Sequence, residues 1–265
     1  MTSRAGRVAA LYDIHGNLPA LEAALADAES AQVDLFLLGG DLALGPMPCE
    51  VLDRLAQLGA RARYLRGNCD RLMVDAYDGR SMPSVPPSVQ DTIIWAARQL
   101  ERWHRDFLAA LPETVTLSVD GVGSILCCHG TPRSDDEIIT TRTPDEHLFS
   151  IVAAVPQSVI VCGHTHMQYQ RRCRGKTVVN AGSVGMPYGE PGAHWLLLGP
   201  GIELRRAIYD GTRAIERIER TSYPHAAEFA ARHVLRPPSE QEMLAAFERS
   251  QSSGAAEPTA PPNER

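Results

Sequence analysis

Residues 7–17 read RVAALYDIHGN, and this stretch decides the fold. The apolar run over 7–12 reads as a buried strand that stops at Asp13. The segment that follows, LPALEAALADAES at 18–30, sets Leu18, Leu21, Ala24 and Leu25 at amphipathic-helix spacing, with Pro19 suited to the first turn. Working outward, the alternation repeats as a strand at 33–38, a helix at 48–58 and a strand at 62–65. Strands alternating with helices mean βαβ units and a mainly parallel sheet, so the expected class is α/β.

Further along, the pattern changes. A proline-rich stretch at 82–88 (MPSVPPS) precedes 89–110, which reads as one long helix carrying Trp95, Trp103 and Phe107. Those aromatics lie 8 and 4 residues apart, so packing is the default reading and a lid over a substrate the rarer one. Asp120-Gly121 separates strand-like runs at 114–119 and 124–128, the signal of a hairpin. A helix near 144–155 leads into strands at 158–162, 168–173, 177–180, 194–198 and 202–207, which read as more antiparallel than the first half. Helices near 212–219 and 225–234 follow, with a short one at 240–249. From about Ser252 the sequence is low in apolar residues and rich in Pro, Ala and Ser, the composition of a disordered tail.

The chain has 265 residues, 44% hydrophobic and 22% charged, enough to bury a core without disulfides or a structural metal. Its formal charge of −6, with no long basic run, argues against a dedicated nucleic-acid-binding module. Arg171, Arg172, Arg174 and Lys176 read as the polar ends of two adjoining strands. Six cysteines lack the spacing of a disulfide scaffold. Cys127, Cys128 and Cys162 sit in apolar runs, so reduced thiols and a cytoplasmic protein are expected. Neither a signal peptide nor a membrane span is evident.

The chemistry is written at the strand ends. They read Asp13-Ile14-His15-Gly16-Asn17, Gly39-Gly40-Asp41, Gly67-Asn68-Cys69-Asp70, His129-Gly130 and Gly163-His164-Thr165-His166. Ligands of α/β sheets gather at the carboxyl ends of strands, so these loops are expected to converge. Asp13/His15 and His164/His166 are each two apart, and in extended chain such residues share a side. The collected carboxylates, imidazoles and carboxamide form a mixed N/O donor set, suited to Zn, Mn, Fe, Co or Ni.

In order and spacing, DIHGN, GGD, GNCD, CHG and GHTH resemble the calcineurin-like metallophosphoesterase superfamily. The run NAGSVGMP at 180–187 resembles its small bacterial and archaeal phosphodiesterase branch. The resemblance implies a four-layer fold, a central β-sandwich flanked by helices with a dinuclear site at the strand ends. The domain would span 1–236 with a helical insertion at about 80–112, leaving 237–265 as a tail. It also implies that Asp13, His15 and His166 hold one divalent transition-metal ion, that Asn68, His129 and His164 hold a second, and that Asp41 bridges them. Manganese is favoured; Ni, Fe, Zn or Co would also suit. Two ions ~3.5–4 Å apart activate a bridging hydroxide and clamp both oxygens of an in-line displacement, giving direct hydrolysis of a phosphate ester, a small molecule or an exposed diester.

Many members of the superfamily carry histidine after the motif asparagine, where this chain has Cys69, and a neutral thiol is a poor proton donor. Phosphodiesters are therefore favoured over ordinary phosphomonoesters. Two rivals stay open: a protein or nucleotide phosphomonoesterase, and a non-catalytic protein-binding scaffold of the same fold. A nucleophilic role for Cys69 would be superfluous beside a metal hydroxide. Asn17 and Asp70 could hydrogen-bond the ligand shell, though Asn17 also suits a helix cap. Arg133 could pair with a substrate phosphate or be a solvated loop side chain, and the substrate walls are expected at 72–110 and 131–146. His104 reads as a surface or packing residue, and His147, His194, His225 and His233, which show no partner spacing, as structural.

Overall fold

Ala9 and Leu11 turn to one face of their strand and Val8 and Ala10 to the other, and all four are fully buried. A strand apolar on both faces must be covered on both, and that requirement builds the layers. In the computed structural model, which describes residues 3–253, the first elements are β1 (Ser3–Ala5), β2 (Val8–Leu11), α1 (Leu18–Ser30), β3 (Leu35–Leu38), α2 (Pro48–Ala56), β4 (Ala62–Tyr64) and α3 (Asn68–Tyr77). Next come α4 (Pro87–Gln99), α5 (Arg102–Ala109), β5 (Thr114–Val119), β6 (Gly123–Cys128), α6 (Asp145–Val152), β7 (Val159–Cys162), β8 (Gln168–Cys173) and β9 (Lys176–Ala181). The remainder is β10 (Ala193–Leu198), β11 (Ile202–Ala207), α7 (Gly211–Glu219), α8 (Ala226–Phe229), a π-helical segment (Ala230–Leu235) and α9 (Glu240–Ser253).

Two sheets result. One runs β11-β10-β2-β3-β4, with β2, β3 and β4 parallel and β10 antiparallel to both its neighbours. The other runs β1-β5-β6-β7-β9-β8, where β6, β7 and β9 are parallel and the hairpins β5–β6 and β8–β9 antiparallel. Val8, Ala10, Leu37, Leu196 and Leu198 meet Ile125, Cys127, Val161 and Val179 between the sheets. Ala9, Leu11, Phe36, Leu38 and Trp195 pack outward against α1, α2 and α4. On the far side, Cys128, Ile160, Cys162 and Val178 pack against Leu148, Ile151 and Val152 of α6. The four layers and the α/β class match the expectation.

Several expectations need correcting. The single helix read at 89–110 is two, because Leu100 turns extended (φ −69°, ψ 136°) and the Glu101 backbone N–H donates to His104 Nδ1 at 3.0 Å, capping α5. His104 is thus a buried cap, with its Nε2 3.3 Å from Asp53 Oδ1. The helix read at 225–234 is α8 running into the π-helical segment. Neither α3 nor the short β1 was anticipated. Met243, Ala246 and Phe247 of α9 are buried against Met167 and Tyr188, so the expected short helix belongs to the folded body; the disorder expected beyond it lies outside the described residues. All six cysteines are free thiols, and no helix among the described residues is long and apolar enough to cross a membrane.

Candidate metal centre

Loops from both sheets are laced together by their backbones. Asp13 N donates to Gly40 O (3.1 Å), His15 N to Asp41 O (2.9 Å), Gly163 N to His129 O (2.8 Å) and Gly185 N to Asp13 O (2.9 Å). Among the described residues, seven other than glycine have positive φ, and five of these are expected ligands: Asp13 (54°), His15 (47°), Asp41 (53°), His164 (69°) and His166 (57°). Such backbone is costly and persists where the surroundings enforce it. It also corrects the sequence argument: Asp13/His15 and His164/His166 do not converge because two residues of extended chain share a side. Each side chain is delivered by a left-handed turn. The glycines make room, since a Cβ on Gly67 would lie 2.1 Å from Asp41 Oδ1 and one on Gly163 2.5 Å from Asp13 Oδ2.

The donors converge below the surface, and Asp13, His15, Asp41, His129, His164 and His166 are all buried. Ligand atoms of Asp13, His15 and His166 lie within 4.8 Å of one another, as do those of Asp13, Asp41 and His129. His129 Nε2 is 3.4 Å from Asp41 Oδ2 and 3.7 Å from Asp13 Oδ1, and His166 Nε2 is 3.3 Å from Asp13 Oδ1. His164 packs edge-on against His129, its ring centroid 5.2 Å away, and its backbone N–H donates to Asp13 Oδ2 at 2.9 Å. Asn68 opens α3, and beside it the Cys69 backbone N–H donates to Asp41 Oδ1 at 2.8 Å.

Do these residues fit divalent ions? Nδ1 of His15, His129 and His166 lies 3.3, 2.8 and 2.8 Å from the carbonyls of Leu44, Gly39 and Met186. A carbonyl only accepts, so Nδ1 carries the proton and Nε2 turns its lone pair inward, the orientation of a ligating histidine. His15 and His166 then place two nitrogens 3.1 Å apart; imidazole nitrogens ligating one ion at ~2 Å are separated by roughly that distance. Asp13 Oδ1, Asn68 Oδ1 and His129 Nε2 are buried without a hydrogen-bond partner among the described residues. The charges agree. Burial opposes ionisation of Asp13 and Asp41, but the adjoining imidazoles hold both carboxyls below their usual range. Burial likewise opposes charge on His129, yet Asp41 and Asp13 push its pKa up to about 10, the response of an anionic pocket made for cations. Burial and neighbouring imidazoles lower His15 and His164 to about 4, which favours the neutral, ligating form. The set fits.

Around it stands a brace. Asp70 Oδ2 accepts from the backbone N–H groups of Asp41 (2.8 Å) and Gly67 (3.0 Å), and Oδ1 from that of Leu42 (2.9 Å). It positions the Asp41 loop rather than reaching the cluster, and burial together with Asp41 raises its pKa to about 7. Cys69 Sγ lies within 4.8 Å of the ligand atoms of His15 and Asp41, at the cluster's edge. Asn17 caps α1 through Ala20 N (3.2 Å) and donates to Gly185 O (2.9 Å), so the cap reading holds. Arg133 pairs with Glu137 (Nε–Oε2 2.8 Å) and is not brought into the cluster. Two further braces carried no assigned role in the sequence reading. The Ser183 hydroxyl donates to Asp13 O and accepts from Met186 N, both at 2.7 Å, while Asn180 Nδ2 donates to Gly163 O at 2.6 Å. Their signal was NAGSVGMP itself.

The profile of the calcineurin-like phosphoesterase superfamily domain matches residues 7–199. The chain belongs to that superfamily. Its divalent-metal chemistry is the kind these donors serve. A curated relative, the uncharacterized protein MJ0912 of Methanocaldococcus jannaschii, is 25% identical over 239 residues, covering 82% of this chain and 93% of its own. Among solved structures, the metallophosphoesterase of Sphaerobacter thermophilus superposes with a TM-score of 0.67 at 25% identity, over 86% of this chain and 99% of that one. The hypothetical protein PH1004 of Pyrococcus horikoshii OT3 gives 0.75 at 22% identity, over 88% and 99%, a likeness of fold.

Proposed function

We propose that this metallophosphoesterase hydrolyses phosphodiesters at a centre of two divalent ions, with manganese favoured. The observation that carries the reading is the buried pocket in which Asp13, Asp41, His15, His129 and His166 present ligand atoms inward. Asp13, His15 and His166 would hold one ion; Asn68, His129 and His164 would hold the other, with Asp41 shared. When bound, such ions lower the pKa of a water and neutralise charge on the phosphate. The chain's own residues fix the geometry. Backbone carbonyls orient the imidazoles, Asp70 holds the Asp41 loop, and Ser183 ties the Asp13 loop to Met186. Cys69 supports the diester preference, because its thiol borders the cluster where an imidazole donor would aid a poorer leaving group. The substrate is a small or exposed phosphate ester.

Metal-stripped protein with Mn²⁺ restored should cleave bis-p-nitrophenyl phosphate faster than p-nitrophenyl phosphate. Asp41→Asn should lose more than the ~100-fold that loss of an outer partner can cost. Faster cleavage of the monoester would refute the diester preference, and full activity in Asp41→Asn would refute the centre.

A further inference from the structure

Tyr188 directly follows the run NAGSVGMP, and the segment 186–188 holds His166 by three contacts. Nδ1 of His166 donates to the Met186 carbonyl at 2.8 Å, and the Tyr188 backbone N–H donates to the His166 carbonyl at 3.4 Å. The Tyr188 ring lies stacked on the imidazole, with centroids 5.2 Å apart and planes inclined by 28°. A single hydrogen bond fixes where the Nδ1–H points but lets the ring rock about that direction. Only a contact on the face of the ring sets its plane. The His15 imidazole is tilted by 55° to that of His166 and is itself an expected ligand. The stacked phenol is the group suited to the task.

Tyr188 is in turn seated from beyond the family domain. The matched region ends at residue 199, whereas Met243, Ala246 and Phe247 of α9 share one buried cluster with Tyr188 and Met167. Tyr188 is only 4% exposed. Beside it, the Gly189 backbone N–H donates to the Pro238 carbonyl at 2.9 Å. Ser239 and Glu242 then open α9 with reciprocal bonds, Ser239 N to Glu242 Oε2 at 2.8 Å and Glu242 N to Ser239 Oγ at 3.3 Å. Contacts therefore run without a break from α9 through Tyr188 to His166. That histidine stands at a φ of 57°, a backbone state that persists where its surroundings enforce it.

Resting on the metal centre described above, we propose that Tyr188 is a positioning residue: backed by α9, it sets the ring plane of His166 and so the affinity for the ion that His166 and His15 would share. It acts through His166 and touches neither the ion nor the substrate. A helix outside the family domain thereby helps to build the centre.

The test is titration of Mn²⁺ against a competing chelator in wild type, Tyr188→Phe and Tyr188→Leu, with folding checked by circular dichroism and the bound metal followed by electron paramagnetic resonance. Phenylalanine keeps the stacked ring and leucine removes it. Tyr188→Leu should bind one ion about tenfold or more weakly, the usual cost of losing a partner that orients a ligand. At limiting Mn²⁺ it should then show the signal of an isolated ion where wild type shows a coupled pair. Tyr188→Phe should keep both the affinity and the coupled signal. Unchanged affinity in Tyr188→Leu would overturn the proposal, as would equal loss in Tyr188→Phe or equal loss of both ions. If Tyr188→Leu does not fold, Phe247→Ala leaves the tyrosine in place and opens its support. It should weaken the same ion, and unchanged affinity there would overturn the proposal too. A wild type holding a single ion that Tyr188→Leu weakens would refute the two-ion reading alone. A wild type with two ions indifferent to Tyr188→Leu would refute this inference alone, and no metal bound by wild type would refute both.

Discussion

The strand-end loops and the C-terminal helices α7, α8 and the π-helical segment are built on different principles. In the loops, strained turns at Asp13, His15, Asp41, His164 and His166 are held by backbone hydrogen bonds and by buried braces such as Asp70 and Ser183. Each of the imidazoles of His15, His129 and His166 has its tautomer set by a carbonyl. The C-terminal helices hold His233 by aromatic packing on Phe229, with its Nδ1 lacking a hydrogen-bond partner among the described residues. Rigid polar bracing suits a group that must ligate at fixed distance, whereas aromatic packing serves to hold the helices against the body. The loops should therefore govern metal affinity, and these C-terminal helices the stability of the fold.

The largest effect should come from Asp70→Asn. An amide NH₂ would face backbone N–H groups that now donate to the carboxylate, so the Asp41 loop should loosen. Metal affinity should fall about 10–100-fold, readable by competition with a chelator; unchanged affinity would show that the loop holds itself. Phe229→Ala should act the other way. Removing a buried ring costs about 3–5 kcal/mol of stability, readable by denaturant titration. Metal content should be preserved, and loss of metal on this substitution would erase the distinction between the regions.

The smallest effect on function should come from His194, a buried histidine of β10 that belongs to neither region. Burial lowers its pKa to about 4 from a usual 6.5. Between those values the unfolded chain binds more protons than the folded one, so this contribution is fully present above pH 6.5 and is lost as the pH falls through about 4. In metal-free protein the decline should reach about 3 kcal/mol. His194→Gln should flatten it in denaturant titrations at pH 7.5 and 4.5, with activity nearly unchanged at neutral pH. An equally steep decline in the variant would assign it to other groups.

Much of this was legible in the sequence, for physical reasons. Ligand types beside glycine at successive strand ends mark the metal loops, because a short polar side chain on a tight turn is what such a site needs. Asp13, His15, His164 and His166 are set by left-handed turns rather than by extended chain, because positive φ cannot be read from a pattern of residue types. The break at Leu100 was hidden because no proline or glycine marks it; a side-chain cap from His104 ends one helix and starts the next. Asp70 looked like a candidate for the site because it follows Cys69, yet its carboxylate is spent on three backbone donors. His233, read as structural, is buried against Phe229.

The central claim is that one buried donor set holds two ions. Manganese titrated into chelator-stripped protein and counted by mass spectrometry tests it directly, beside Asp41→Asn. Two ions per wild-type chain are expected, with both weakened when the shared carboxylate is lost. A single ion per chain, or two bound undiminished by Asp41→Asn, would contradict it.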